Sequence, residues 1–328
     1  NVLENNTSGS NNIAIGKHAL YTNTTTSENI AIGYYALRLN TSGQKNTGIG
    51  YSALANNTTG GFHVAIGYNS LLSNTDGAQN VAIGYNALRE NTAGDFNVSV
   101  GGGSLDANTT GNQNVAVGQN ALGLNSTASA NTAVGRSSLA NNTTGDKNVG
   151  LGYEALNDNT IGSQNTAVGH SALGFNTTAS NNVAVGYLAL SSNTTGANNV
   201  AVGRESLKSN TTGFTANTAV GDATLRNNTT GTGNTAIGYT ALREGNRSNN
   251  TACGYQALRR GTTGNANVAV GAQSLENNTA ANNSALGYYS LRVNTSGTNN
   301  TAIGHKALEL NTTGTQNVAV GSNSLDSN

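Results

Sequence analysis

Apolar and polar residues follow one short pattern that repeats from one end of this chain to the other. A Val-Ala-Ile triplet at 81–83 is followed by Gly84, and an equivalent glycine recurs nineteen times. The first eleven steps between these glycines are 17 residues each, and the seven later steps are 16 to 18 residues. A leucine stands four positions after every one of them, from Leu20 to Leu325. Such a short period indicates an array in which each unit contacts mainly its neighbours.

The residues just before the glycine predict a β-strand. With the glycine numbered zero, position −4 is Asn in 18 of 19 copies, and His63 is the exception. Position −3 is Val, Ile or Thr except at Ser284, and position −1 is Ile, Val or Leu except at Cys253. Position −2 is only Ala, Gly or Ser. A β-branched run bounded by Asn and Gly favours a strand of about four or five residues, with −3 and −1 on one face.

These faces predict a core and a contact surface. We assign positions −1 and +4 to the structural core, represented by Ile83, Leu88, Val117, Leu122, Val134 and Leu139. Position −2 is always small, which indicates that another backbone approaches it closely. That backbone is either the opposite wall of the same coil or a neighbouring chain. We assign it to an inter-chain contact in a homo-oligomer, at Ala82, Ala116, Ala133 and Ala167.

Two turns complete the unit. Position +7 is Asn in 17 copies and Gly in two, and these residues tolerate a left-handed backbone. We therefore predict corners with positive φ at Asn91, Asn108, Asn142, Gly245 and Gly261. A second turn is expected near the glycine at +10. The Ala-Leu pair at +3 and +4 predicts a short strand or a 3₁₀-like turn, since a helix about 10–12 Å wide does not fit between coils ~4.8 Å apart.

The fold predicted for residues 1–328 is all-β: a single continuous β-solenoid, or β-roll, of about nineteen 17-residue coils. Stacking would align the asparagines at −4 and +7 into hydrogen-bonded ladders. The copy with an insertion near residues 214–216, and the shortened copies before Gly254 and Gly287, are expected to adjust their loops. Because the sequence begins and stops within a repeat, we interpret it as an internal fragment of a longer protein.

Composition narrows the functional classes. Charged residues are 9% of the chain and the formal net charge is zero, so no overall electrostatic footprint for nucleic acid or an anionic membrane is present. No apolar run approaches the ~18 residues of a membrane-spanning helix. The single cysteine, Cys253, excludes an intrachain disulfide and is interpreted as a small hydrophobe.

The sequence contains no recognisable catalytic, metal-binding or cofactor-binding constellation. The four histidines, His18, His63, His170 and His305, lie many coils apart. The carboxylates occupy variable positions, so no pair recurs for acid–base chemistry. We therefore expect a protein without cofactor that is not an enzyme.

Three surface features have alternative interpretations. Paired threonines at +8 and +9, such as Thr58 and Thr59, could form a flat binding grid or serve turn chemistry. Asparagines in glycosylation sequons, among them Asn23, Asn40, Asn57 and Asn108, could be modified or be held in ladders. Tyrosine is the commonest residue at +1 and could contact carbohydrate or pack against a neighbouring coil or subunit.

The consensus Asn-Thr-Ala-Ile/Val-Gly-x-x-Ala-Leu-x-x-Asn-Thr-Thr-Gly, seen at 300–314, resembles the repeats of bacterial and phage surface fibre proteins of the tail-fibre-domain type. It is more distantly similar to the head repeats of YadA-like adhesins, which have a shorter period and form a trimeric left-handed β-roll. The first resemblance covers essentially the whole chain. It implies an extracellular or virion-surface location, secretion, and no catalytic residues.

From these observations we expect the structural shaft of an extracellular adhesive fibre that mediates attachment to cells or surfaces. Its partners would be further copies of itself, three or more, with a surface glycan or cell-surface receptor as a target. We expect neither nucleic acid nor membrane insertion by this segment. The alternatives are an ice- or polysaccharide-binding solenoid using the threonines, and a phage tail-fibre shaft for host recognition.

Overall fold

The chain forms stacked coils of a parallel β-solenoid in a computed structural model that describes residues 2–211, 216–261 and 263–326. It divides into two compact units, Asn1–Gln164 and Asn165–Asn328. The described residues contain nineteen strands and no helix, which confirms the predicted all-β solenoid. The expected insertion near 214–216 lies mostly outside the described residues.

Each coil contributes one strand of three residues, shorter than the four or five predicted. The first unit contains β1 to β9: Ile13–Ile15, Ile30–Ile32, Thr47–Ile49, Val64–Ile66, Val81–Ile83, Val98–Val100, Val115–Val117, Thr132–Val134 and Val149–Leu151. The second unit contains β10 to β19: Thr166–Val168, Val183–Val185, Val200–Val202, Thr218–Val220, Thr235–Ile237, Thr251–Cys253, Val268–Val270, Ser284–Leu286, Thr301–Ile303 and Val318–Val320.

Strands of consecutive coils within a unit pair in parallel and in register. Between β5 and β6, Val81 pairs with Val98, and Ile83 pairs with Val100. The one-residue insertion before β13 and the one-residue deletion before β15 leave this register intact, because Val202 still pairs with Val220 and Ile237 with Cys253. Equivalent residues therefore stack on one another along each unit.

The small residue of the strand faces the interior, opposite to our prediction. Ala82, Ala116, Ala133 and Ala167 are fully buried within the chain. Where serine occupies both −2 and +3, the Oγ atoms of Ser99 and Ser104 lie 2.6 Å apart, so −2 faces the opposite wall of its own coil. The inter-chain assignment of these alanines is therefore wrong. Position −2 is small because the coil is thin.

The same reversal places the −1 residues outside. Ile83 is 37% exposed and Val134 is 39% exposed, and Val117 lies at the same position of its strand. Their assignment to the core is wrong, because alternate strand residues point to opposite faces and the inner face is occupied by alanine. Leu88, Leu122 and Leu139 are fully buried, which confirms the core assignment of the +4 leucines.

The left-handed backbone lies at residues other than those predicted. Asn91, Asn108, Asn142, Gly245 and Gly261 are not among the residues with positive φ, so the corner prediction is wrong. Positive φ occurs instead at −5, +2 and +4, as at Gln79, Asn86 and Leu88 with φ of 57°, 53° and 53°. At every +4 leucine φ lies between 48° and 53°.

The segment after the glycine is a run of turns, neither a second strand nor a 3₁₀ helix. Ala87 N donates to the carbonyl of Gly84 at 3.4 Å, and Leu88 N donates to the carbonyl of Ser104 in the next coil at 2.9 Å. Left-handed leucine is uncommon. The inter-coil hydrogen bond and full burial of its side chain stabilise it here.

The repeat glycine is required by both conformation and space. Gly84 has φ of 137°, a region that side chains rarely adopt. A Cβ there would lie 2.7 Å from the carbonyl oxygen of Gly101 in the next coil. The coils therefore approach each other backbone to backbone at this edge of the sheet.

Candidate functional surfaces

The asparagines at +7 form the predicted ladder inside the coils. Asn91 Nδ2 donates to Asn74 Oδ1 at 2.8 Å and to the carbonyl of Gly94 at 3.0 Å. Asn108 Nδ2 in turn donates to Asn91 Oδ1 at 2.8 Å. These side chains are fully buried. Position +7 thus requires an amide that donates twice and accepts once, which explains Asn better than a left-handed corner does.

A second ladder runs through position −4. Asn97 N donates to Asn80 Oδ1 at 2.8 Å, and Asn97 Nδ2 donates to the carbonyl of Gly111 at 2.9 Å. Each side chain therefore joins the backbones of consecutive coils. Both sets of asparagines hold the solenoid together from within, as the sequence predicted.

His63 reproduces the hydrogen bonds of asparagine with an imidazole. Its Nε2 lies 2.7 Å from the carbonyl oxygen of Gly77, so this nitrogen carries the proton. Its Nδ1 accepts from Asn80 N at 3.2 Å. Burial lowers the pKa of His63 to about 4, although the backbone carbonyl of Gly77 opposes the shift. The predicted surface histidine is thus a buried, neutral structural residue.

Glycine interrupts the +7 ladder in the second unit, at Gly245 and Gly261. In the shortened coil before β15 the side chain of Asn246 compensates for the missing residue. Its Oδ1 accepts from the backbone amides of Thr229 and Thr230 at 3.0 and 2.8 Å. In regular coils a backbone carbonyl, such as that of Thr75, accepts these bonds.

The threonines at +8 are committed to the backbone. Thr92 Oγ1 donates to the carbonyl of Thr109 in the next coil at 3.1 Å, and Thr58 Oγ1 donates to the carbonyl of Thr75 at 2.9 Å. Position +9 is exposed but varies, with Asp76, Ala93 and Ile161 among the threonines. This geometry is that of turn chemistry and counts against a regular hydroxyl grid.

The sequons at +7 are closed to modification in the folded coil. Asn23, Asn40, Asn57 and Asn108 are fully buried. Asn57 Nδ2, the atom that a glycan would occupy, donates to Asn40 Oδ1 at 3.0 Å and to the carbonyl of Gly60 at 2.9 Å. Attachment of a sugar would break both hydrogen bonds.

The tyrosines at +1 stack on one another. Ring centroids are 5.4 Å apart for Tyr34 and Tyr51, 5.1 Å for Tyr51 and Tyr68, and 5.6 Å for Tyr68 and Tyr85. Their faces cover each other, and edges and hydroxyls face solvent. In the coil after Tyr85 the equivalent residue is Gly102, and Tyr85 is 62% exposed.

The outward strand face is apolar and carries no charge. The thirty-eight residues at −3 and −1 comprise Val, Ile and Leu with seven Thr, one Ser and one Cys. We call this surface the outer strand face. Ile66, Ile237 and Ile303 on it are 37%, 42% and 41% exposed. Soluble monomers rarely expose contiguous apolar surface on this scale, and such surface marks an interaction site.

Charged side chains cluster in the second unit, which the sequence reading missed. Glu205 Oε1 pairs with Lys208 Nζ at 2.9 Å, and Glu205 Oε2 pairs with Arg226 Nε at 2.8 Å. The hydrogen bond from Lys208 holds the pKa of Glu205 below its ordinary value. The available signal was the recurrence of arginine at +5 in three consecutive copies: Arg226, Arg243 and Arg259.

Within the described ranges, no group of three or more His, Cys, Asp or Glu is placed to hold a metal ion. No helix among those residues is long and apolar enough to cross a membrane. The scan of protein-family models and the search of curated proteins return no match for the chain.

Proposed function

We propose that the chain is the structural, non-catalytic shaft of an extracellular adhesive fibre, assembled from several copies that pack through their outer strand faces. The coils are closed by hydrogen bonds and buried leucines within one chain. The interior is therefore satisfied, and the outer strand face is the surface left to pair.

The observation that carries this proposal is the chemistry of the outer strand face. Ile83 and Val134 are more than one-third exposed, and no copy of the repeat places a charge at −3 or −1. A surface exposed to water in the assembled protein would tolerate Lys or Glu at some of thirty-eight positions. Uniform absence of charge is typical of the centre of an interface.

A second copy of the same chain is the partner that fits this face. Two in-register parallel sheets with identical repeats can align coil for coil, about 10 Å apart. Nine three-residue strands spaced ~4.8 Å apart offer roughly 400 Å² of face per unit. Stable interfaces bury about 800 Å² per partner, so the strands of both units together supply an area of the required order.

Charge reversal on the outer strand face tests the proposal. The double variant Val117→Glu and Val134→Glu places two carboxylates on neighbouring strands, with Thr127→Glu at an exposed turn as the matched control. We expect sedimentation velocity to show an oligomer for the native chain and the control, and a monomer for the double variant. Circular dichroism should be the same for all three.

A native chain that is monomeric at high concentration would exclude the proposed assembly. An unchanged oligomer in the double variant would exclude this face as its interface. Ala116→Glu is unsuitable for the same test, because Ala116 is buried inside the coil and its replacement would unfold the repeat.

A further inference from the structure

We infer that the second unit binds an acidic polysaccharide along a row of three arginines, Arg226, Arg243 and Arg259, which we call the arginine row. This deepens the proposed adhesive function by giving the chemistry of the surface ligand. The inference stands on charge distribution, a cleft, and polar groups without partners.

Basic residues are concentrated in this part of a sparsely charged chain. Residues 204–260 contain seven of its fifteen Lys and Arg but three of its fifteen Asp and Glu. The arginine row occupies position +5 of three consecutive coils. Asn227 N donates to the carbonyl of Arg243 at 2.9 Å, and Glu244 N donates to that of Arg259 at 3.0 Å, so the backbones at these positions are stacked. The guanidinium groups therefore recur at about the coil step of ~4.8 Å.

Neutralisation of this cluster is incomplete. Arg204 and Asp222 form a paired contact at 3.1 Å, and Glu205 serves both Lys208 and Arg226. Arg243 meets only Glu244, at the longer distance of 3.6 Å. Among the described residues Arg259 has no carboxylate within ion-pair distance, and the Nε atoms of Arg243 and Arg259 are buried without a hydrogen-bond acceptor. Positive charge is thus left over at the two adjacent members of the row.

A cleft of about 260 Å³ opens beside the row, bounded by Arg226, Arg243, Tyr239 and Thr240. Thr240 is only 4% exposed, and its hydroxyl has no hydrogen-bond partner within the described structure. Buried hydroxyls are normally satisfied, so this group is free to bond a ligand that enters the cleft. Ala223 lies between Glu205 and Thr240 at position +2, and its small side chain leaves the space open.

The mixture of groups distinguishes a polysaccharide from other polyanions. Arginine forks bind carboxylates in a bidentate manner. Sugar hydroxyls also need acceptors, which the carboxylates of Glu205 and Asp222 provide, and these same carboxylates would repel a nucleic-acid backbone. Tyr239 is 48% exposed and offers an aromatic surface to a sugar ring. A linear polymer of uronic acids carries one carboxylate per sugar, at a spacing comparable to the coil step.

The test uses a short oligogalacturonate as the probe, with its fully methyl-esterified form as a neutral ligand of the same skeleton. We expect calorimetric titration of the whole chain to detect the acid form only, with affinity that falls as salt is raised. The double variant Arg243→Gln and Arg259→Gln should weaken binding by tenfold or more. Arg136→Gln, an isolated arginine of the first unit, is the matched control and should leave it unchanged.

Thr240→Val separates binding from folding. Because the hydroxyl makes no bond in the free protein, this variant should unfold at the native temperature yet bind the oligogalacturonate several-fold more weakly. Equal binding of the esterified probe, equal binding of a single-stranded DNA of similar charge, or native affinity in the double arginine variant would overturn the inference. Sedimentation velocity on the same samples reports assembly separately, so failure of either proposal is recognised without the other.

Discussion

His63 Nε2 lies 2.7 Å from the carbonyl oxygen of Gly77, and through this contact an imidazole fills a site that asparagine occupies in the neighbouring coils. The two side chains are interchangeable there because each offers one acceptor and one donor at similar separation. Unlike an amide, the imidazole can take up a proton, which gives the first unit a pH-dependent weak point.

Stability should fall with acid because of His63. Its pKa drops from 6.5 to about 4 on folding, so the unfolded chain takes up the proton first. The contribution is complete above pH ~6.5 and is lost as pH falls through about 4, a difference of about 3 kcal/mol. Denaturant unfolding of the native chain and of His63→Asn, at pH 7 and pH 4, measures it.

His63→Asn is its own control, because it keeps the hydrogen bonds and removes the titrating group. The carboxylates contribute equally to both proteins, so the difference between the two pH profiles reports His63 alone. Parallel profiles would contradict the assignment of a buried neutral imidazole.

Removal of one ladder amide should be costly. Asn91→Ala deletes the bonds to Asn74 and Gly94, and leaves the Nδ2 of Asn108 without its acceptor. Unsatisfied buried groups cost about 1–3 kcal/mol each, so we expect a loss of about 2–4 kcal/mol in chemical denaturation. Asn56→Ala is the control, since Ala107 already occupies the equivalent +6 position. Similar losses for both variants would argue against a special role of the ladder.

Two glycines of adjoining coils should respond differently to alanine. In Gly84→Ala the Cβ meets the Gly101 carbonyl at 2.7 Å, with φ of 137°. We expect a loss of about 3 kcal/mol or more, from strain and the forced separation of coils. At Gly102 the nearest atom lies 4.0 Å from an added Cβ and φ is not left-handed, so Gly102→Ala should be nearly neutral. Thermal unfolding midpoints of the two variants decide the matter.

The two faces of one strand should tolerate opposite changes. Ala116→Ile forces a large side chain into the thin interior and should destabilise by about 3 kcal/mol. Val115→Thr changes an outward residue to one found at −3 in seven copies, and should cost less than about 1 kcal/mol in the isolated chain. If Ala116→Ile unfolds at the native denaturant concentration, the interior position of Ala116 is incorrect.

Much of the fold follows from periodicity. The spacing of Gly84 and Leu88 in every copy is enough to predict one strand per coil, a buried leucine and ladders of Asn91 and Asn80, because a parallel stack must place equivalent residues on one another. The role of His63 was missed, since a single histidine at an asparagine position carries no repeat signal.

The charged cluster was also out of reach. Arg243 and Glu244 are neighbours in sequence, but Glu205 and Arg226 meet only because consecutive coils stack. Sequence spacing of 17 or 18 residues brings side chains side by side in this fold. Which pairs are satisfied, and which guanidinium groups are left over, depends on the turns of positive φ that orient them.

By itself, the sequence determined the period, the strand and the asparagine ladders, because these follow from a repeat that stacks upon itself. Only the tertiary structure decided which strand face lies inside. Alternation divides Ala82 from Ile83 but does not say which is buried. The coil is too thin for β-branched residues to meet the opposite wall, so alanine packs inward against its own coil and isoleucine is left outside.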